Sequence, residues 1–215
     1  MRQKERRIFL HSPYLKWSFI RRQAEGFRSK YVKPANHLPV PIIEIVELAL
    51  NISPYPIIGL MERIDIDGFL TRDLKNICID QDIYMDERRE KRLRFTYAHE
   101  VGHLILHENE IRKCDFRTPD MWIHFHEDFL AEDLNWFEQQ AREFGGRLLV
   151  PPNELTSEIL SYRDKINEFK SQTDSEEDLI EALSRLVCDK FAVSSQVIQR
   201  RIRSEKIWPK IKASL

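Results

Sequence analysis

The sequence predicts an α+β fold, in which a mostly helical domain carries a small antiparallel sheet and is followed by a pair of C-terminal helices. Two observations lead to this prediction. Long segments place apolar residues at helical spacing, whereas residues 52–80 alternate short β-branched runs with turns. The chain has 215 residues, of which 42% are hydrophobic and 32% charged, so it is long enough to bury an ample core beneath a charged surface.

The N-terminal part of the chain is predicted to be helical. Residues 14–31 carry apolar side chains on one face, and the prolines within residues 32–39 end this pattern. Pro41 is suited to the first turn of a second helix, where its missing N–H is not needed. We therefore predict that residues 1–38 form an N-terminal helical extension.

Three short strands are predicted to follow. Residues 57–66, 69–71 and 77–80 are rich in β-branched and other apolar side chains, and polar turn residues separate them. Short strands joined by tight turns indicate an antiparallel meander. The strand near residues 68–71 is also a candidate edge for binding an extended peptide.

The centre of the chain contains the strongest helical patterns. Residues 87–108 and 134–149 repeat apolar positions at helical spacing, and the proline pair after residue 150 ends the second pattern. Another helix is predicted over residues 152–169. Together with the sheet, these elements define a predicted central domain over residues 39–170.

The C-terminal part is predicted to be a helix-turn-helix-like unit over residues 171–215. A polar, acidic linker at 171–178 leads into helices at 177–191 and 194–203. The second helix carries three arginines, which suggests either a DNA-binding or partner-docking surface or a purely structural helix pair.

Composition argues against several classes of protein. The formal net charge of −1 gives no general attraction to nucleic acid or anionic membranes. No apolar run approaches the roughly 20 residues that span a bilayer, and the basic N-terminus lacks the apolar core of a signal peptide. Three scattered cysteines without CxxC spacing favour neither a disulfide framework nor a thiolate zinc site: Cys78, Cys114 and Cys188. We expect a cytoplasmic protein without a membrane partner.

The chemistry is expected to lie in the central helix, whose residues 95–107 read FTYAHEVGHLILH. His99 and His103 are four residues apart and share a helix face, so both imidazoles can bind one zinc ion (Zn2+). Glu100 lies beside them and can take a proton from the attacking water. Gly102 would let another element pack close to the site. The competing interpretation is a structural histidine pair, but the apolar surroundings require these polar groups to have partners.

Zinc at a catalytic site needs a third protein ligand. His107 lies two turns from His99, about 12 Å along a continuous helix, so we interpret it as a helix-end or supporting residue. Glu138, near the start of the next strong helix, is the alternative. Spacing alone does not single it out, because other acidic residues compete: Glu132, Asp133 and Glu143.

Residues 94–107 resemble the signature of the ImmA/IrrE family of metallo-endopeptidases. Three more segments are similar to family elements in the same order. They are GFLTRD at 68–73, EQQAREFGGRLLVP at 138–151 (resembling ExxANxFAxxLLMP), and FAVSS with RRI within 191–202. The likeness covers roughly residues 39–207. It implies a zincin-like fold, a cytosolic endopeptidase activity, and a transcriptional repressor, expected to be of the helix-turn-helix type, as the protein substrate.

The resemblance also implies that Glu138 is the third zinc ligand. Within that motif Arg142 replaces the usual Asn, Gly145 the usual Ala and Val150 the usual Met. Arg142 lies one turn after Glu138, where it would either orient the carboxylate or draw it away from the metal.

The sequence does not determine which residue stabilises the oxyanion, and it leaves two rival functions open. Candidates for stabilising the transition-state oxyanion are Tyr97, His124, His126 and Arg142. The rival function is a DNA-binding or repressor-docking regulator that uses Arg200, Arg201 and Arg203, although the net charge lacks the basic excess typical of DNA-binding proteins. A zinc-binding but inactive scaffold is a third interpretation.

Overall fold

The computed structural model describes residues 12–33, 38–113, 131–172 and 175–214. In chain order the helices are α1 (Trp17–Tyr31), α2 (Ile42–Glu44, continued by a π turn at Ile45–Ala49), α3 (Leu60–Ile64), α4 (Gln81–Met85), α5 (Glu90–Leu106, after a 3-10 turn at Glu87–Arg89), α6 (Glu108–Lys113), α7 (Ala131–Leu149), α8 (Pro152–Ser161), α9 (Arg163–Gln172), α10 (Glu176–Phe191), α11 (Ser195–Ser204) and α12 (Ile207–Ser214). The strands are β1 (Ser53–Ile57), β2 (Gly68–Leu70) and β3 (Asn76–Asp80). The predicted α+β class is confirmed.

The sheet is mixed, so the prediction of a wholly antiparallel sheet was wrong in one pairing. β3 lies in the middle, antiparallel to β2 and parallel to β1. The predicted strand over residues 57–66 does not form, because the strong helix formers after Gly59 build α3 instead. β1 lies just before it and includes Pro54 and Pro56, which an edge strand tolerates.

The helical predictions agree with the structure apart from their boundaries. Tyr162 interrupts the predicted helix over 152–169 and separates α8 from α9. The predicted C-terminal pair corresponds to α10 and α11, and each helix begins at a serine whose side chain accepts a backbone N–H bond, Ser175 and Ser194. The short helices α4 and α12 were not expected from the sequence. No helix in the described part of the chain is long and apolar enough to cross a membrane.

Two glycines bring α5 and α7 into unusually close contact. A Cβ atom added at Gly102 would lie 2.8 Å from the backbone oxygen of Ala141, and one added at Gly145 would lie 3.0 Å from the carbonyl carbon of Ala98. Gly102 thus lets another element pack close to the site, as the sequence predicted, and that element is α7. This contact brings residue 138 on α7 level with the histidines of α5.

Charged residues on α1 and α11 hold the opposite face of α7. Arg21 lies 2.8 Å and Arg201 2.9 Å from the carboxylate of Glu143. Arg201 also pairs with Glu205, and only 1% of its surface is exposed. The predicted domain boundaries at 38/39 and 170/171 stay predictions, but both flanking segments contribute packing to the helix that carries Glu138.

Candidate metal centre

Four side chains predicted to form the site lie together in the structure. The donor atoms of His99, Glu100 and His103 on α5 lie within 4.8 Å of one another. Glu138 reaches them from α7: its Oε2 is 2.9 Å from Nε2 of His99, and its Oε1 is 3.5 Å from Nε2 of His103. The two Nε2 atoms are themselves 3.0 Å apart.

This arrangement fits a metal cation. Two imidazole nitrogens and a carboxylate face one point, and their lone pairs repel one another unless a proton or a cation lies between them. Ligands at about 2.0–2.1 Å from a tetrahedral zinc ion are separated by roughly 3.3 Å. The three observed separations, 2.9, 3.0 and 3.5 Å, bracket that value.

Burial and mutual charge perturb these groups strongly. Burial alone would raise the pKa of Glu138, but its interactions with the imidazoles of His103 and His99 hold that pKa well below its ordinary value. Burial opposes protonation of His99, yet its bond to Glu138 raises the pKa of His99. Burial raises the pKa of Glu100 despite the nearby histidines. The carboxylate of Glu138 is therefore anionic and suited to bind a cation, whereas Glu100 is more basic than an ordinary glutamate.

A cleft of about 320 Å³ opens onto these side chains. Its walls are β2, α5 and α7, with Phe95 and Phe137 among the apolar lining residues. In β2 the flanking residues Asp67 and Thr71 pair with β3, so the backbone groups of Gly68 and Leu70 point away from β3. The Leu70 N–H bonds the Glu100 carboxylate, which fixes the strand edge beside the candidate metal site.

His107 lies on the far side of His103 from the cluster. Its Nδ1 is 3.0 Å from Nδ1 of His103, and its Nε2 is 2.9 Å from Oε1 of Gln140. Phe137 stacks on the His107 ring, with centroids 4.0 Å apart. Burial lowers the pKa of His107 to about 3, so the ring stays neutral. This geometry suits the supporting role predicted for His107.

Sequence reasoning did not identify Phe137 or Gln140. Both lie on α7 close to Glu138, and residues 137, 140, 141 and 144 follow the spacing of one buried helix face. This periodicity was the only sequence signal for these two residues. It indicated that they are buried but not which partner each side chain contacts.

The candidates for stabilising the oxyanion differ in their position relative to the cleft. Tyr97 is fully buried, and its hydroxyl donates to Glu47 at 2.6 Å, away from the cleft. Arg142 lines the cleft, and among the described residues it forms no ion pair with Glu138, which instead bonds the histidines. The other two candidates, His124 and His126, lie outside the described residues.

Neither the C-terminal arginines nor the described cysteines belong to the candidate metal site. Arg201 is buried in its ion pairs and Arg203 pairs with Glu177, whereas Arg200 is exposed. Cys78 and Cys188 are buried free thiols, and burial raises the pKa of Cys78 to about 12. Cys114 lies outside the described residues. Neither described thiol belongs to the candidate metal site.

The fold and the site together define a metallopeptidase-type domain. The sequence profile of the peptidase M78 family, described as the IrrE N-terminal-like domain, matches residues 61–203. The chain belongs to this family, and the resemblance found in its sequence is confirmed. No curated protein matches the chain.

Proposed function

We propose that the protein is a zinc-dependent endopeptidase in which His99, His103 and Glu138 bind the metal and Glu100 is the general base. The observation that carries this proposal is the convergence of three electron-pair donors, 2.9–3.5 Å apart, at the base of an open cleft. Family membership supports peptidase chemistry at this site.

The residues divide the chemical work in a simple way. Zinc, when bound, supplies a Lewis acid that polarises the substrate carbonyl and makes water more acidic. The Glu100 carboxylate accepts the proton of the attacking water and then delivers it to the leaving amine. The Leu70 N–H orients Glu100 for both transfers. Glu138 stays anionic and balances the charge of the metal.

The cleft favours an extended peptide as substrate. The backbone groups of Gly68 and the carbonyl of Leu70 lie along the outer edge of β2, where a peptide can add as a further strand. Apolar and aromatic side chains line the same cleft and offer contacts for substrate side chains. We propose a cytoplasmic protein substrate, specifically a helix-turn-helix repressor encoded nearby.

Incubation of the zinc-loaded protein with such a repressor, followed by mass spectrometry, tests the proposal. Wild type should cleave the repressor, and Glu100→Gln should keep one zinc ion but lose about 10²–10⁴-fold in rate. Glu90→Gln is the matched control, because Glu90 is exposed at the start of the same helix. His103→Ala should lose both zinc and cleavage.

The possible outcomes separate the parts of the proposal. Cleavage by Glu100→Gln at the wild-type rate would remove Glu100 from the mechanism. Stoichiometric zinc with no cleavage of the repressor would favour the inactive scaffold over a repressor-directed peptidase.

A further inference from the structure

A chain of hydrogen bonds runs from the candidate ligand His103 to the backbone of the N-terminal segment. Nδ1 of His103 contacts Nδ1 of His107 at 3.0 Å, and Nε2 of His107 contacts Oε1 of Gln140 at 2.9 Å. The Gln140 amide nitrogen then donates to the carbonyl oxygen of Pro13 at 2.8 Å. The chain thus joins α5, α7 and the segment that precedes α1.

The last acceptor determines the direction of every bond in this chain. A backbone carbonyl only accepts, so the Gln140 group facing Pro13 must be the NH2 and the group facing His107 must be the oxygen. Nε2 of His107 therefore carries a proton. The ring has no exposed surface and its two polar contacts are an amide oxygen and an imidazole nitrogen, so no anion stabilises a second proton and Nδ1 of His107 is bare. That bare nitrogen requires a proton on Nδ1 of His103, which leaves Nε2 of His103 as a lone pair.

The lone pair is the one a metal needs. Nε2 of His103 is the atom that faces His99 and Glu138. In the opposite tautomer His103 would direct an N–H into the cluster, and it would not ligate through that atom.

Burial protects the hydrogen bonds of His107 from water. His107 has no exposed surface and only 2% of Gln140 is exposed, so solvent does not compete for the His103–His107 and His107–Gln140 bonds. The bond from Gln140 to Pro13 is partly buried. The Phe137 ring lies against both imidazoles, with centroids 4.5 Å from His103 and 4.0 Å from His107. This contact limits rotation of the two rings away from their hydrogen bonds.

We propose that the Pro13 carbonyl, acting through Gln140 and His107, selects the metal-binding tautomer of His103, so that His107 and Gln140 are positioning residues. This inference rests on the proposed metal-binding role of His103. It makes the N-terminal segment a structural support of the site, although that segment contributes no ligand.

Zinc affinity, measured by competition with a chromophoric chelator, tests the proposal without relying on activity. His107→Leu removes the acceptor for His103 at similar volume and should weaken zinc binding about 10–100-fold. His107→Asn is the matched variant, because its side-chain oxygen can occupy the position of Nδ1. It should bind zinc within about threefold of wild type. Equal affinity for wild type and His107→Leu would overturn the proposal, as would an Asn variant as weak as the Leu variant.

Nitrogen-15 NMR of the imidazoles in the wild-type protein gives a second result that no folding defect can obscure. The spectrum should show His107 protonated at Nε2 and bare at Nδ1. The reverse tautomer would overturn the inference whether or not zinc binds. Failure of the wild-type protein to bind zinc, with the expected His107 tautomer present, would contradict the proposed metalloenzyme while leaving the hydrogen-bond chain intact.

Discussion

Replacing Gly102 with alanine tests whether the α5–α7 contact builds the candidate site. The new Cβ would lie 2.8 Å from the oxygen and 2.9 Å from the Cα of Ala141. Ordinary carbon contacts begin near 3.5 Å, so the helices would have to separate by about 0.6 Å. Both obstructing atoms belong to the backbone, and no side-chain rotation can relieve the clash.

Two opposing effects set the expected loss of stability. Overpacking of this kind destabilises a protein by about 1–3 kcal/mol. Alanine within a helix is more favourable than glycine by about 0.5–1 kcal/mol. We therefore expect a net loss of about 1–2 kcal/mol in the free energy of unfolding. Because Glu138 lies one turn before Ala141, the same separation should weaken zinc binding about tenfold.

Urea denaturation and chelator competition measure these two effects. Gly26→Ala is the matched control, because Gly26 is exposed within α1 and its added Cβ would meet nothing within 4 Å. That variant should gain about 0.5–1 kcal/mol and keep the wild-type zinc affinity. Gly102→Ala with wild-type stability would refute the close contact. A loss of stability without a loss of zinc affinity would show that this contact does not position Glu138.

Three further substitutions examine residues whose roles the structure separates. Tyr97→Phe should lose about 1–2 kcal/mol of stability in urea denaturation, because the Glu47 carboxylate loses its hydrogen-bond donor. The kcat should stay unchanged, and a large fall in kcat would restore Tyr97 as a candidate oxyanion stabiliser. Arg142→Asn should keep the zinc affinity of wild type in chelator competition, since Glu138 bonds the histidines; tighter binding would mean that Arg142 draws Glu138 away. Arg201→Met should lose about 1–3 kcal/mol of stability, because Glu143 and Glu205 each lose one of their arginine partners, and an unchanged urea midpoint would contradict this.

Local sequence patterns predicted the parts of the site that lie on one helix. His99, Glu100 and His103 are close in sequence, so helical geometry alone places them together. Glu138 reaches them through helix packing that spans a long connection, which spacing could not specify. Only the family resemblance distinguished it from neighbouring acidic residues.

Several features that the sequence did not predict depend on tertiary contacts. β1 contains two prolines, and it is a strand only because β3 pairs with one of its edges. The roles of His107 and Gln140 depend on a carbonyl more than a hundred residues away from Gln140, at Pro13. Periodicity reports that such side chains are buried, whereas their partners follow from the three-dimensional fold.

The C-terminal helices illustrate how a charge pattern in sequence can change its meaning in the fold. Arg201 resembled a DNA contact, yet it lies over Gly146 of α7, whose added Cβ would be 3.1 Å from the arginine side chain. It pairs there with Glu143, on the same helix as Glu138. Rotating Arg201 outward to reach DNA would take one arginine partner from each of Glu143 and Glu205, at a cost of about 1–3 kcal/mol. α11 is therefore better suited to hold the helix that carries Glu138 in place than to read a nucleic acid through this residue.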